Sequence, residues 1–238
     1  PGFLLPGLGR YLSIQRFWED AEQRMKLIQI HVEDRGDEVL VTSTCRVPHG
    51  RSPLETAYKV LSNGTVEVNA SFTPSREMLR FGMQGAVSGA LNEITWFGLG
   101  PHETMADRRQ SGRVGRYTRK IDDFIHDYVH PQENGNRMDV RWASLMDSSG
   151  GGIRIEAAGR TLLNISAWPY SRADLERAEH IHELPRRDFI TLNIDYGQRP
   201  VGDLFSMLYG WPDELRLKAG REYSYRFRLV PVNDLNRE

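Results

Sequence analysis

Only one cysteine, Cys45, occurs in the 238 residues. That rules out an internal disulfide and leaves a thiolate-based zinc site without partners. It fits a reducing compartment, and a cytoplasmic location is expected, although an exported protein without disulfides would look the same. No stretch approaches the roughly 18 consecutive apolar residues of a membrane span, so no membrane partner is expected. A dominant charge is also missing. The 31 basic and 32 acidic residues leave a net charge of -1, and no global field draws in nucleic acid. The start, Pro1-Gly2-Phe3-Leu4-Leu5-Pro6-Gly7, has neither an initiator Met nor a charged leader. It is not a signal peptide and reads as the start of a piece cut from a longer chain. There is no G-x-S-x-G elbow, P-loop or dinucleotide fingerprint.

Helical signal is scarce as well. Ser171-Arg172-Ala173-Asp174 has an N-cap residue with an acid three positions later, and Leu175, Ala178 and Ile181 follow it. The pattern predicts one short helix over 172–182. Period-two alternation dominates the rest. Val39, Val41 and Cys45 share one face of a run, as do the apolar residues of Val66–Phe72. Tyr223, Tyr225, Phe227 and Leu229 alternate with Glu222, Ser224, Arg226 and Arg228. Half-buried antiparallel strands have this pattern. Further strands are predicted at Ala57–Leu61, Ile94–Gly98, Met138–Trp142, Ile153–Ala157, Leu162–Trp168 and Ile190–Ile194. Ser62-Asn63-Gly64 suits a two-residue hairpin turn, and Gly150-Gly151-Gly152 marks another turn. The fold class is all-β: one domain, 1–238, of two packed antiparallel sheets. Trp96, Trp142, Phe72, Ile155, Ile165, Leu192 and Phe227 are expected in the core.

Several residues could carry chemistry. Asp122-Asp123 is an adjacent acidic pair, but neighbours on a strand point to opposite faces, and a solvated turn explains it. His180 and His182 form an H-x-H. Placed at a helix end, they are expected to diverge rather than share a metal. Cys45 lies inside an alternating strand and reads as a buried thiol. The basic run Arg108–Lys120 reads as a charged loop or hairpin balanced by Glu103, Asp107, Asp122 and Asp123. Among the aromatics Trp96, Phe97, Trp142, Trp168, Tyr170, Tyr209 and Trp211, most belong to the core. Tyr209-Gly210-Trp211-Pro212 lies in a Gly/Pro segment, where two rings either cap the sandwich or contact a partner.

Three segments together resemble the C-terminal, small-chain domain (domain 5) of bacterial family 2 β-galactosidases of the LacZ type. Trp96-Phe97-Gly98-Leu99-Gly100-Pro101-His102-Glu103, continuing to Asp107-Arg108, is similar to the family's W-x-G-x-G-P-x-E run. Tyr128-Val129-His130-Pro131-Gln132-Glu133-Asn134-Gly135 is similar to its Y-x-x-P-Q-E-N-G segment. Leu192-Asn193-Ile194-Asp195 and Leu217–Tyr223 resemble its closing strands, and Ser171–Leu184 its helix ending in His-x-His. Residues 90–230 carry the resemblance; 1–90 match weakly. It implies an antiparallel β-supersandwich of the galactose mutarotase type, with Gly98, Gly100, Pro101 and Pro131 setting loop shape.

By the same resemblance, the catalytic glutamates and metal ligands lie in other domains. No catalytic residue, metal or cofactor is expected in this chain, and the parent's divalent metal and monovalent cation sit elsewhere. The domain lends the family active site one aromatic from a loop. Ungapped counting puts Met207 at that aromatic's place, with Leu204 and Phe205 where the family has paired aspartates. Candidate substrate contacts are therefore Met207, Phe205, Tyr209, Trp211 and Asp203. The expected partners are the other domains of the parent, which the resemblance allows to be homo-oligomeric, and a β-galactoside-type carbohydrate. The expected role is an accessory domain of a retaining glycoside hydrolase, inactive alone. The alternatives are a stand-alone carbohydrate-binding module, or a sugar epimerase using His126, His130 or His180 as base.

Overall fold

The computed structural model describes residues 13–199 and 212–232. The described chain is mostly β-strand, and its strands pair antiparallel. Its residues group into two compact units. One holds 13–81, 196–199 and 212–226; the other holds 82–195 and 227–232.

The first unit is built on a four-strand meander: β1 (Lys26–Asp34), β2 (Glu38–Arg46), β3 (Leu54–Leu61) and β4 (Val66–Phe72). β4 follows the predicted alternation; β2 forms where a strand was expected, but Glu38–Cys45 are half-buried on both faces. β3 starts three residues earlier than expected, and β1 was not predicted. The β3–β4 hairpin forms as expected but has three loop residues, Ser62, Asn63 and Gly64. Leu61 N–H donates to Thr65 O at 2.8 Å, and Gly64 has φ +82°. Glycine takes this left-handed position at no steric cost. A short helix at 13–18 brings Trp18 edge-on to Phe72, with ring centroids 6.3 Å apart. Phe81 packs among Tyr196, Tyr223 and Tyr225, with centroids 5.5–6.5 Å apart.

The second unit is two-layered. One sheet runs β13 (Tyr223–Val232, through its part from Phe227 onward), β10 (Gly152–Ala157), β9 (Trp142–Met146), β6 (Glu93–Gly100) and β7 (Arg113–Lys120). The other runs β5 (Arg80–Ser88, from Gly82 onward), β12 (Phe189–Gln198, as far as Asp195), β11 (Leu163–Trp168) and β8 (Arg137–Val140). The layers meet where Gly98 of β6 faces Val140 of β8. A Cβ on Gly98 would sit 2.9 Å from Val140 Cα, so a side chain would push the layers apart. All six residues of β11 are buried, the polar Asn164 and Ser166 among them; Asn193 Nδ2 donates to Ser166 Oγ at 2.9 Å.

Some sequence expectations need correction. Met138–Trp142 is not one strand: β8 ends at Val140 and β9 begins at Trp142, and inside β8 Asp139 adopts φ +53° at a register shift against β11. Trp142 is consequently half-buried, whereas Trp96, Phe72, Ile155, Ile165, Leu192 and Phe227 are buried as expected. Cys45 is half-buried rather than buried. The helix predicted over 172–182 stops at Arg177, although its Ser171–Asp174 capping box forms as read, and a separate 3₁₀ turn covers Ile181–Glu183. The helical turn Ile121–Phe124 and the helix at 13–18 were not predicted.

Candidate functional site

The two motifs that carry the resemblance, around Glu103 and Asn134, come together in the second unit. Glu103 follows β6, and its side chain is only 8% exposed. Its carboxylate accepts hydrogen bonds from Tyr128 Oη, from Arg108 Nη2 at 3.0 Å and from Gly135 N at 2.6 Å. One acid thus ties the loop after β6 to the loop between Phe124 and Arg137. Burial raises the Tyr128 pKa, and the hydrogen bond to Glu103 raises it further. With both oxygens engaged by structural donors, Glu103 fixes loops.

Asn134, from the P-Q-E-N-G segment, is a second hub. Its Nδ2 donates to Tyr170 Oη at 2.8 Å and to Gln132 O at 3.0 Å, and its Oδ1 accepts from His126 N at 3.0 Å. Trp168 Nε1 donates to Asn134 O at 2.7 Å. Burial pushes the Tyr170 phenol up to about 12. Beneath the loops lies Arg137, 4.2 Å from the Phe124 ring centroid and 5.1 Å from that of Trp96. It donates to Gly135 O at 3.0 Å and Phe124 O at 3.3 Å. Burial lowers its pKa to about 10, which leaves it charged at neutral pH. A cation held between two ring faces is well stabilised.

The predicted substrate contacts, Asp203, Phe205, Met207, Tyr209 and Trp211, lie outside the described residues. The chain on either side of them, in the first unit, is held by Glu77. Arg216 Nε and Nη2 donate to Glu77 Oε2 at 2.9 and 2.6 Å, and Arg199 Nη1 is 3.4 Å from Oε1. Glu77 and Arg199 are buried. Sequence reading missed this cluster, since its members are 122 and 139 positions from Glu77 and no local pattern links them.

The remaining candidates divide between structure and surface. Asp122 and Asp123 open the Ile121–Phe124 turn, and Asp122 pairs with Arg186. The basic run forms a 3₁₀ turn at Arg109–Ser111 and then strand β7. Arg108 pairs with Glu103 as read, but Arg109 pairs with Asp139. Trp142 carries Arg154 4.3 Å and Arg116 5.7 Å from its ring centroid. His180 and His182 do not diverge: their rings stack, with centroids 5.5 Å apart. His180 Nδ1 lies 3.3 Å from Glu183 Oε1, and His130 Nδ1 lies 3.3 Å from Glu179 O. Among the described residues, no three His, Cys, Asp or Glu are grouped to hold a metal ion, and no helix is long and apolar enough to cross a membrane.

Another buried acid went unrecognised as a hub. Asp174 accepts from Arg187 Nε at 2.9 Å and Nη2 at 2.6 Å, from Arg177 Nη2 at 3.0 Å and from Ser171 Oγ at 2.6 Å. The arginines and Pro185 line an open depression of about 210 Å³. The capping box was legible in the sequence; Arg187, thirteen positions on, was not.

Comparison with known proteins supplies the family. The chain is 28% identical over 218 residues to a β-galactosidase of Priestia megaterium, covering 90% of this chain and 21% of that one. It is 36% identical over 171 residues to a β-galactosidase of Lactobacillus delbrueckii subsp. bulgaricus, covering 70% and 17% respectively. The chain therefore spans about a fifth of the length of the curated relatives it matches. Among solved structures, it is similar to a GalM/aldose epimerase homologue from C. elegans, with a TM-score of 0.48 and 11% identity. That match covers 86% of this chain and 69% of the other. The family model described as "Beta galactosidase small chain" matches residues 10–229, and this chain belongs to that family.

Proposed function

We propose that this chain serves as an accessory domain of a retaining β-galactosidase of the family 2, LacZ type, completing the substrate pocket and packing against the catalytic domains. One observation carries this reading: a β-galactosidase small-chain match over residues 10–229 in a chain equal to 21% of a relative's length. The engaged state of Glu103 and Asp174 supports it, because both acids are held by arginines and structural donors. In this reading the segment with Asp203, Phe205, Met207, Tyr209 and Trp211 contributes the sugar contact, and Met207 supplies a soft apolar surface where the family has a ring. The parent's metal and monovalent cation are held by its other domains.

The test has two arms. Purified chain is assayed with an aryl β-galactoside, and no turnover is expected. Met207→Ala and Trp211→Ala are then made in the whole parent enzyme, where KM should rise or kcat fall while the unfolding midpoint is kept. Turnover by the isolated chain, abolished by a substitution within it, would overturn the accessory reading. Unchanged kinetics in both variants would remove these residues from the pocket.

A further inference from the structure

The first unit presents an apolar sheet face that loses its cover toward one side. Strand register aligns Val32, Val41, Tyr58 and Val68 in one row across β1 to β4. A second row is Ile30, Ser43, Thr56 and Ala70; Leu27, Cys45 and Leu54 form a third. These rows share one face, since side chains two positions apart on a strand point the same way. At β4 the face is core: Val68 and Ala70 are each 2% exposed. At β2 it is half-buried, and at β1 it is open, with Leu27 and Val32 at 60% and Ile30 at 58%. The opposite face of the same strands is mostly polar, with His31, Glu33, Thr42, Lys59, Glu67 and Asn69 beside Leu40 and Ala57. Apolar side chains in register on the core side of a sheet, without cover at one end, mark an interaction surface.

We propose that the Leu27–Ile30–Val32 face is an interface with the part of the β-galactosidase polypeptide that this chain does not span. The inference rests on the accessory-domain reading and adds to it the surface through which the domain docks. Two observations identify the occupant. The relative from Priestia megaterium has only 21% of its length in this region, so most of that polypeptide lies outside it. The open rows also continue the buried core face, and such a face is completed by a second layer stacked about 10 Å away. Pairing of two β1 edges would lengthen the sheet and leave the face bare.

Hydroxyl-radical footprinting tests this on the whole parent enzyme and on the 238-residue chain. Labelling of Leu27, Ile30 and Val32 should fall about tenfold in the whole enzyme, as expected when a mostly exposed side chain becomes core. An Ile30→Asp/Val32→Asp double variant should restore the labelling of Leu27 in the whole enzyme and leave the isolated chain folded. Equal labelling in the two proteins overturns the interface. So does protection in the isolated chain that disappears on dilution, which would assign the face to a second copy. Equal labelling in a parent whose activity still requires this domain removes the interface and leaves the accessory reading intact. If the source gene encodes no more than this chain, both fall.

Discussion

Arg216 places both Nε and Nη2 on a single oxygen of Glu77, at 2.9 and 2.6 Å. Arg199 approaches the other oxygen at 3.4 Å, and Arg216 also donates to Asp213 Oδ1 at 2.7 Å. Backbone bonds reinforce the cluster: Arg199 N donates to Leu79 O, and Met78 N to Leu217 O. Removing the acid leaves two guanidiniums facing each other, one of them buried. Glu77→Ala is expected to cost about 3–5 kcal/mol, and Glu77→Gln somewhat less because it keeps the shape and one acceptor. Urea unfolding of the isolated chain checks this. A loss below about 1 kcal/mol for Glu77→Ala would mean that the cluster contributes little to the fold.

The Asp174 cluster makes stability depend on acid pH. Hydrogen bonds from Arg187 hold the Asp174 carboxyl far below the usual carboxylate range; burial opposes the shift, and Ser171 adds to it. The folded pKa is depressed, so the charged acid stabilises the fold above the unfolded value of about 3.9. That stabilisation is lost as pH falls from there toward the folded pKa. The stability gap between wild type and Asp174→Asn should be constant from neutral pH down to about 5 and shrink below about 4. Denaturant titrations at several pH values read it. A gap that does not change down to pH 3 would sink the assignment.

Trp96 and Trp142 should respond differently to truncation, though the alternation pattern treats them alike. Trp96 is fully buried and bonded through Nε1 to Leu99 O at 3.0 Å. Trp142 lies on the face of β9 opposite the buried Ala143 and Leu145, half-covered by Arg154 and Arg116. Trp96→Ala should cost about 3–5 kcal/mol and Trp142→Ala about 1–2 kcal/mol. Equal losses in thermal unfolding would place Trp142 in the core after all.

Such contrasts show which features were legible in the sequence. Val66–Phe72 and Tyr223–Leu229 were legible because one face is wet and the other is core, which gives clean alternation. β1 was not: Lys-Leu-Ile-Gln-Ile-His-Val has a bulge between Leu27 and Gln29 that breaks the period. The break at Arg141 and the left-handed Asp139 before it were hidden by the alternation of Met138, Val140 and Trp142, because neither leaves a hydrophobic signature. At the candidate site, the Glu103 and Asn134 motifs were visible as strings, and what they bind was not. Their distant partners, Tyr128 and Gly135 for Glu103 and Trp168 and Tyr170 for Asn134, are joined to them only by the fold.

The Glu103–Tyr128 contact provides a last prediction. Glu103 accepts from a phenol, a guanidinium and a backbone N–H, so it outranks any single partner. Tyr128→Phe removes one hydrogen bond, and the arginine and Gly135 still hold the acid; the cost should be about 1 kcal/mol. Glu103→Ala leaves the Gly135 N–H and the Tyr128 hydroxyl without their acceptor, while the half-exposed Arg108 turns to water. Its cost should be about 2–3 kcal/mol. The phenol offers an independent readout. Burial and Glu103 raise the Tyr128 pKa, so its neutral form is favoured in the fold. The stabilisation is complete below the unfolded value of about 10 and is lost as pH rises through the higher folded one. Ultraviolet difference titration of wild type against Tyr128→Phe should therefore show that the missing tyrosine ionises late. In Glu103→Gln the same tyrosine should ionise earlier, because the negative charge that holds back its proton is gone. If Tyr128→Phe costs more than Glu103→Ala, or if Tyr128 ionises at its ordinary pH, then Glu103 is not the hub of these loops.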